Sequence, residues 1–191
     1  MTVAGLLLAA GAGRRYGMPK ALVRHRGVLF VEHAAGVLRD GGCLPVVIVL
    51  GARADEVRRT AVLDGAIVVD NPDWASGMGS SLRVGLSALE DCEAAVVLPV
   101  DTPGVTETAV HRLARLATPA ALARATYDGV PGHPVLLGRD HWAAVAELAT
   151  GDEGARPYLA RHQVQLVPCG DVAVGADVDR PEDLPRDDPG F

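Results

Sequence analysis

The sequence predicts an α/β domain, a mostly parallel sheet with helices on both faces. Three observations lead there. Strand-like and helix-like runs alternate along the chain, the pattern of a sheet covered by crossover helices. The first run, residues 4–10, is continuously apolar, as expected of a strand buried on both faces. A glycine-rich loop follows it directly, and sheets of this kind bind ligands at the carboxyl ends of their strands. The 191 residues suit one such domain, and a composition of 49% hydrophobic and 22% charged residues excludes a disordered or collagen-like chain.

After the loop at 11–20, residues 30–39 have helical spacing and stop at Gly41-Gly42. Residues 46–50 read as a second buried strand, 54–63 as a charged amphipathic helix and 66–69 as a third strand. Asn71-Pro72-Asp73 is a turn, and the loop 74–79 opens a helix over 80–89. The fourth strand, 94–100, ends at Asp101, and 106–116 is helical. Residues 120–127 and 130–137 read as two strands about the Asp128-Gly129 turn. Helical stretches at 139–149 and 153–161, a strand at 164–167 and a short helix at 180–184 complete the series. Residues 1–185 are expected to form one domain, with 186–191 a flexible tail.

Bulk properties narrow the function. A net charge of −6 leaves no global basic field for nucleic acid, so any anion site must be local. Cys43, Cys92 and Cys169 lie far apart without a CxxC pair, which argues against a zinc site or a disulfide framework. The apolar start lacks a preceding basic residue and is short for a secretory signal, and no segment reaches the ~20 apolar residues of a membrane span. A cytoplasmic enzyme is the expectation. Lys20 is the only lysine among 18 basic residues. A compact ammonium kept once points to a site that a planar guanidinium does not serve.

The loop reads Leu8-Ala9-Ala10-Gly11-Ala12-Gly13-Arg14-Arg15-Tyr16-Gly17-Met18-Pro19-Lys20. Its glycines let backbone N–H groups approach an anion. Five Lys or Arg and no acid fall between Met1 and Val31, so triphosphate is the natural partner. Two familiar loops fail. A dinucleotide fingerprint needs glycine where Tyr16 stands, which weakens an oxidoreductase reading. A P-loop needs four residues and a second glycine directly before the lysine, whereas two residues separate Gly17 from Lys20 and Ala21 replaces the Ser or Thr.

From Leu8 to Lys20 the loop resembles the signature of the nucleotidyltransferases that act on molybdenum cofactor, and of their relatives acting on sugar phosphates and methylerythritol phosphate. That resemblance implies a Rossmann-like nucleotidyltransferase fold, with residues 1–104 mainly binding NTP and 105–185 mainly binding the acceptor. It places Leu8, Ala9, Ala10, Gly11, Gly13, Arg14, Arg15 and Lys20 on the nucleotide, with Lys20 and Arg15 also catalytic. Asp101, in Leu98-Pro99-Val100-Asp101, corresponds to the family's catalytic and metal-binding aspartate, and Pro99 is expected on the nucleotide. Mg²⁺, with Mn²⁺ as an alternative, demands such oxygen ligands. The second ligand is expected from Asp177, leaving Asp179 to cap the helix ahead of Glu182; the reverse assignment stays open.

The Asn71-to-Leu82 stretch resembles the family's nucleotide-side G-M-x-x-S-L segment, so Asn71, Gly79, Ser80 and Ser81 are expected on base or ribose. Gly132-His133-Pro134 and Gly151-Asp152-Glu153-Gly154-Ala155-Arg156 resemble the acceptor side. There Gly132, His133, Pro134 and Arg156 are expected to contact the acceptor, His133 as a contact rather than a proton carrier. Arg156 reads equally as a phosphate clamp and as a surface helix residue. Ala10, in Leu8-Ala9-Ala10-Gly11, resembles the branch that uses CTP, since a methyl there crowds a purine edge that glycine admits. The resemblance therefore implies CMP transfer to molybdopterin phosphate, with release of pyrophosphate and a molybdoenzyme as recipient of the product. The alternatives are GTP or another NTP on a different acceptor, such as a sugar phosphate or phospholactate, and a non-catalytic cofactor or nucleotide chaperone. Neither nucleic acid nor membrane is an expected partner.

Overall fold

A computed structural model describes residues 2–184; the tail at 186–191 lies outside the described residues. Seven strands form one sheet: β1 (Val3–Ala9), β4 (Val46–Leu50), β5 (Ile67–Asp70), β6 (Ala94–Pro99), β7 (Leu122–Tyr127), β8 (Val130–Gly138) and β9 (Gln165–Pro168), in the order β5-β4-β1-β6-β8-β7-β9. β1 pairs in parallel with β4 and β6, β4 with β5, and β7 with β9. Only β8 runs antiparallel in this sheet, against β6 and β7. The order reverses at β1, so the loops after β1 and β6 face the crevice where such sheets bind ligands.

The apolar run of β1 serves two cores at once, because successive side chains point to opposite faces. Leu7 and Ala9, with Ile48, Leu50, Val96 and Leu98, pack against α1 (Phe30–Asp40) and α4 (Glu107–Ala114). Leu6 and Leu8, with Val47, Val49, Ala95 and Val97, pack against α3 (Met78–Ser87), α5 (Trp142–Leu148) and α6 (Arg156–Leu159). α2 (Ala54–Thr60) adds Val57 to the first core. The Thr106 hydroxyl caps α4 by accepting from the Ala109 N–H at 3.3 Å. The β7–β8 turn has the expected form: Asp128 and Gly129 both take positive φ, 50° and 80°.

Several expectations need correction. A small hairpin, β2 (Arg24–His25) and β3 (Val28–Leu29), occupies a stretch to which the sequence assigned no element; it turns through Arg26 and Gly27 at positive φ, and two-residue strands leave no periodic signal. The helix predicted to Leu63 ends at Thr60, and the Val62 N–H instead donates to Glu32 of α1. Residues 139–149 divide into a 3₁₀ turn, Arg139–His141, and α5. Residues 153–161 do not form one helix, because Gly154 at φ 54° separates the turn Gly151–Glu153 from α6. Only a 3₁₀ turn, Pro181–Asp183, stands where the last helix was expected.

Ile48 is fully buried in β4. Ile48→Ala should cost about 2–5 kcal/mol of unfolding free energy, as truncations in packed cores do. Denaturant titration measures it, and a loss below ~1 kcal/mol would show that the sheet is not packed this way.

Candidate functional site

Gly13 is the point on which the glycine loop turns. It takes φ 60°, and a Cβ there would lie 1.9 Å from the Met18 carbonyl oxygen. The Gly17 N–H donates to the Gly13 carbonyl at 2.8 Å and closes the turn. Lys20 is thereby carried inward, to a short 3₁₀ turn (Lys20–Leu22) over the end of β6. Its Nζ donates to Asp101 Oδ2 and to Asp179 Oδ1, both at 2.7 Å. Arg15 reaches the other oxygen of Asp179 at 2.5 Å.

A late segment joins the site through the backbone. The Val178 N–H donates to the Asp101 carbonyl at 2.8 Å, and the Val178 side chain is buried in the core. Asp177 and Asp179, on either side, are left at the mouth. The expected capping role of Asp179 is not what the structure shows. Asp183 accepts from the N–H groups of Asp179 and Arg180, which frees the Asp179 carboxylate for Lys20 and Arg15. Asp177 lies in an adjoining cavity.

The charges interlock. Burial opposes the Lys20 ammonium, but hydrogen bonds to Asp101 and Asp179, and the fields of both, more than offset it and hold its pKa above the ordinary value. The hydrogen bond from Lys20 pulls the Asp179 carboxyl below its usual range. Asp177 moves the other way: burial raises it, and the neighbouring carboxylates Asp101 and Asp179 raise it further.

Two cavities meet here. The first, of about 370 Å³, is walled by the glycine loop on one side and by Trp74, Met78 and Ser81 on the other. Ala10, Gly11, Gly13, Arg14, Arg15 and Lys20 all line it, as do Asp101, Asp152 and Asp179. The second, of about 120 Å³, is lined by Arg124, His133, Arg156 and Asp177 among others. Leu8, Met78, Pro99 and Asp101 border both. Burial of the His133 ring, with the field of Arg124, pushes its pKa down to about 4, so the imidazole is neutral at neutral pH.

Not every expected contact faces these cavities. Ala9 is buried in the sheet. Gly79 is buried with its Cα against the Ala149 backbone, where a Cβ would stand 2.7 Å from the carbonyl; its small size serves packing. Asn71 and Ser80 form a buried scaffold behind the wall. Asn71 Nδ2 donates to Ser80 Oγ at 2.7 Å and to Ser81 Oγ at 3.0 Å, and its Oδ1 accepts from the Asp73 N–H at 3.0 Å. Gly132 and Pro134 flank His133 without lining the second cavity. Missed by the sequence reading were Trp74, Met78 and Asp152 as cavity walls, Asp179 as the partner of Lys20, and Arg124. An arginine within a largely buried strand was the available signal for the last.

A mostly parallel sheet that reverses order at β1, with a glycine loop and a strand-end aspartate meeting at that reversal, defines a Rossmann-like domain of the nucleotidyltransferase type. A family model for the MobA-like NTP transferase domain matches residues 5–166, and the chain belongs to that family. It is 42% identical to nicotine blue oxidoreductase of Paenarthrobacter nicotinovorans, across 96% of this chain and 95% of that protein. It is 32% identical to the molybdenum cofactor guanylyltransferase of Rhodobacter capsulatus, across 97% and 95%. Among solved structures, Rv0371c of Mycobacterium tuberculosis H37Rv in complex with manganese superimposes with a TM-score of 0.78, at 27% identity and with 93% and 94% of the two chains covered. Among the described residues, no helix is long and apolar enough to cross a membrane.

Asn71→Ala removes the donor to two buried hydroxyls and the acceptor for one N–H. It should lower stability by about 1–3 kcal/mol, the cost of stranding buried polar groups. Thermal unfolding without ligand measures this, and an unchanged midpoint would show that these hydrogen bonds do not stabilise the fold.

Proposed function

We propose that this chain is a nucleotidyltransferase that moves a nucleoside monophosphate from an NTP to the phosphate of molybdopterin, releasing pyrophosphate. The observation that carries the reading is the Lys20 ammonium, bridged between Asp101 and Asp179 at the mouth of a glycine-loop cavity. The family and the 32% identical guanylyltransferase support the reaction class and the acceptor. The donor is CTP on the strength of Ala10, which lines the first cavity where glycine would leave more room. The guanylyltransferase likeness makes GTP the competing donor. The cytoplasm, which supplies NTPs, is the proposed location, with a molybdoenzyme as recipient of the product.

Among the described residues no three acids, histidines or cysteines form a metal cluster, but Asp101 and Asp177 offer the one or two carboxylates that Mg²⁺ takes beside substrate phosphates. Burial first, and then the fields of Asp101 and Asp179, raise Asp177, and a cation there would favour its charged form. Asp101 and Asp177 are proposed to hold Mg²⁺ or Mn²⁺, and the manganese complex of Rv0371c supports a metal of this type. When bound, the ion neutralises triphosphate charge. The residues of the chain supply the rest. The backbone of the Gly11–Gly13 turn cradles phosphate oxygens, while Lys20 and Arg15 exchange Asp179 for those oxygens. The neutral His133 contacts the acceptor without taking a proton, since an acceptor phosphate already carries its own nucleophilic oxygen. Catalysis is then alignment for in-line attack plus charge compensation.

One observation favours a second reading. The 42% identity to nicotine blue oxidoreductase extends over nearly the whole chain, so an oxidoreductase using the same cavity is the rival. Thermal shift with CTP, GTP, ATP, UTP, NADH and NADPH, each with and without Mg²⁺, separates the two; a ligand at 100 Kd stabilises by ~2.7 kcal/mol. A Mg²⁺-dependent shift with CTP, followed by pyrophosphate release on adding molybdopterin, is the expected result. A shift with NADH or NADPH alone would refute the transferase. In the transfer assay, Lys20→Ala should reduce kcat by ~10²–10³, the cost of deleting one charge-stabilising donor, and Asp101→Asn should abolish turnover. Near-normal kcat in either variant would remove that residue from the chemistry.

A further inference from the structure

Arg124 sits in β7 between the buried residues Ala123 and Ala125. Its Nε is buried and has no hydrogen-bond partner among the described residues. Its guanidinium makes one long contact, from NH2 to the Gly132 carbonyl at 3.4 Å. Folded chains seldom leave a buried cationic donor unpaired, because its lost hydration is not returned. Arg124 opens onto the second cavity, which Arg156 and His133 also line. Among the described residues no ion pair holds Arg124 or Arg156.

The acids near this cavity do not resolve the imbalance. Asp101 is taken by Lys20. Asp177 feels Asp101, Asp179, Lys20 and Arg156, while Arg124 is disfavoured first by burial and then by the like charge of Arg156. A ligand with two negative charges and several acceptor oxygens would satisfy the orphan N–H and quench the repulsion between the arginines. A neutral hydroxyl could accept from the N–H but would leave the repulsion between the arginines unquenched. The planar forks of two arginines match the tetrahedral oxygens of phosphate.

We propose that Arg124 and Arg156 form a two-arginine subsite in the second cavity for a phosphate monoester dianion, with Arg124 setting the preference for phosphate over uncharged acceptors. The neutral His133 ring lies beside them as a hydrogen-bonding wall that adds no competing charge. The inference deepens the transferase reading and rests on it for the use of the anion: Asp101, shared by both cavities, puts the subsite next to the donor site. The existence of the anion site itself rests on Arg124.

The test uses the whole protein labelled with ¹⁵N-arginine and inorganic phosphate as the probe, at constant ionic strength in chloride. The Nε–Hε resonances are assigned from Arg124→Lys, Arg156→Lys and Arg15→Lys. The Arg124 and Arg156 signals should titrate together with one dissociation constant, also when CTP saturates the glycine-loop site. Arg124→Gln should weaken that constant roughly ten- to a hundredfold, the worth of a charged hydrogen bond, with partial recovery in Arg124→Lys. In the transfer assay, Arg124→Gln should raise the acceptor KM while leaving the CTP KM unchanged. An Arg124 signal that stays fixed while Arg15 moves overturns the subsite, whether or not transfer occurs. Phosphate-linked movement of Arg124 in a protein that shows no transfer keeps the subsite and refutes the transferase reading. If Arg124→Gln does not fold, the wild-type titration decides alone.

Discussion

Asp101, Asp177 and Asp179 gather at the end of β6, and Asp177, partly buried and in the field of the other two, is held toward its neutral form; this concentration of acid is the constraint that the nearby chain answers. The central answer is the Lys20 ammonium, which bridges Asp101 and Asp179, with Arg15 joining it on Asp179. Lys20 joins residues 81 and 159 positions away through a single nitrogen. A guanidinium would spread the same charge over a wide plane; the compact, rotatable donor suits two carboxylates facing one point. The solitary lysine of an otherwise arginine-based chain has its physical reason here.

That contact draws three distant segments into dependence on one another. The left-handed Gly13 turn brings Lys20 over β6, the end of β6 presents Asp101, and the Val178–Asp101 backbone bond ties the last described segment to the same place. None of these works without the sheet, because β1 and β6 stay in parallel register over Val3–Leu8 and hold the two loops side by side. β1 anchors the sheet in both cores, sending Leu7 and Ala9 to one and Ala4, Leu6 and Leu8 to the other, which ties the loops after β1 and β6 to a common packed base.

Much of this was legible beforehand where a single residue type had one physical use. The buried strands, the glycine loop, the Asp128-Gly129 turn and the strand-end Asp101 fall in that class. What stayed hidden required partners known only in space. Asp179 precedes Pro181 and Glu182 in a pattern that reads as a cap, yet Asp183 performs the capping. Asn71 and Ser80 carry polar groups that look ligand-facing, but each satisfies the other in the interior. Gly79 reads as a backbone donor and proves to be a contact-distance requirement against Ala149. Arg124 was overlooked because one charge in a strand has no periodicity to betray which side it faces. The break in the helix expected over 153–161 came from Gly154 and the Gly151 turn, where local conformation overrode apolar spacing.

The segment from Ala149 to Arg156 is pinned to α3, with the Arg83 guanidinium on the Ala149 carbonyl and Gly77 lying against Gly151. Beyond that anchor it divides, with Asp152 on the wall of the first cavity and Glu153 through Arg156 on the wall of the second. One short stretch of chain therefore borders both compartments, and a change of length there displaces both walls together. If the two cavities hold the two substrates as proposed, their specificities are not modular. A lineage or an engineer altering this stretch to admit a new partner on one side inherits a changed selectivity on the other, so new pairs of substrates are reached by correlated steps rather than by exchanging one half of the domain.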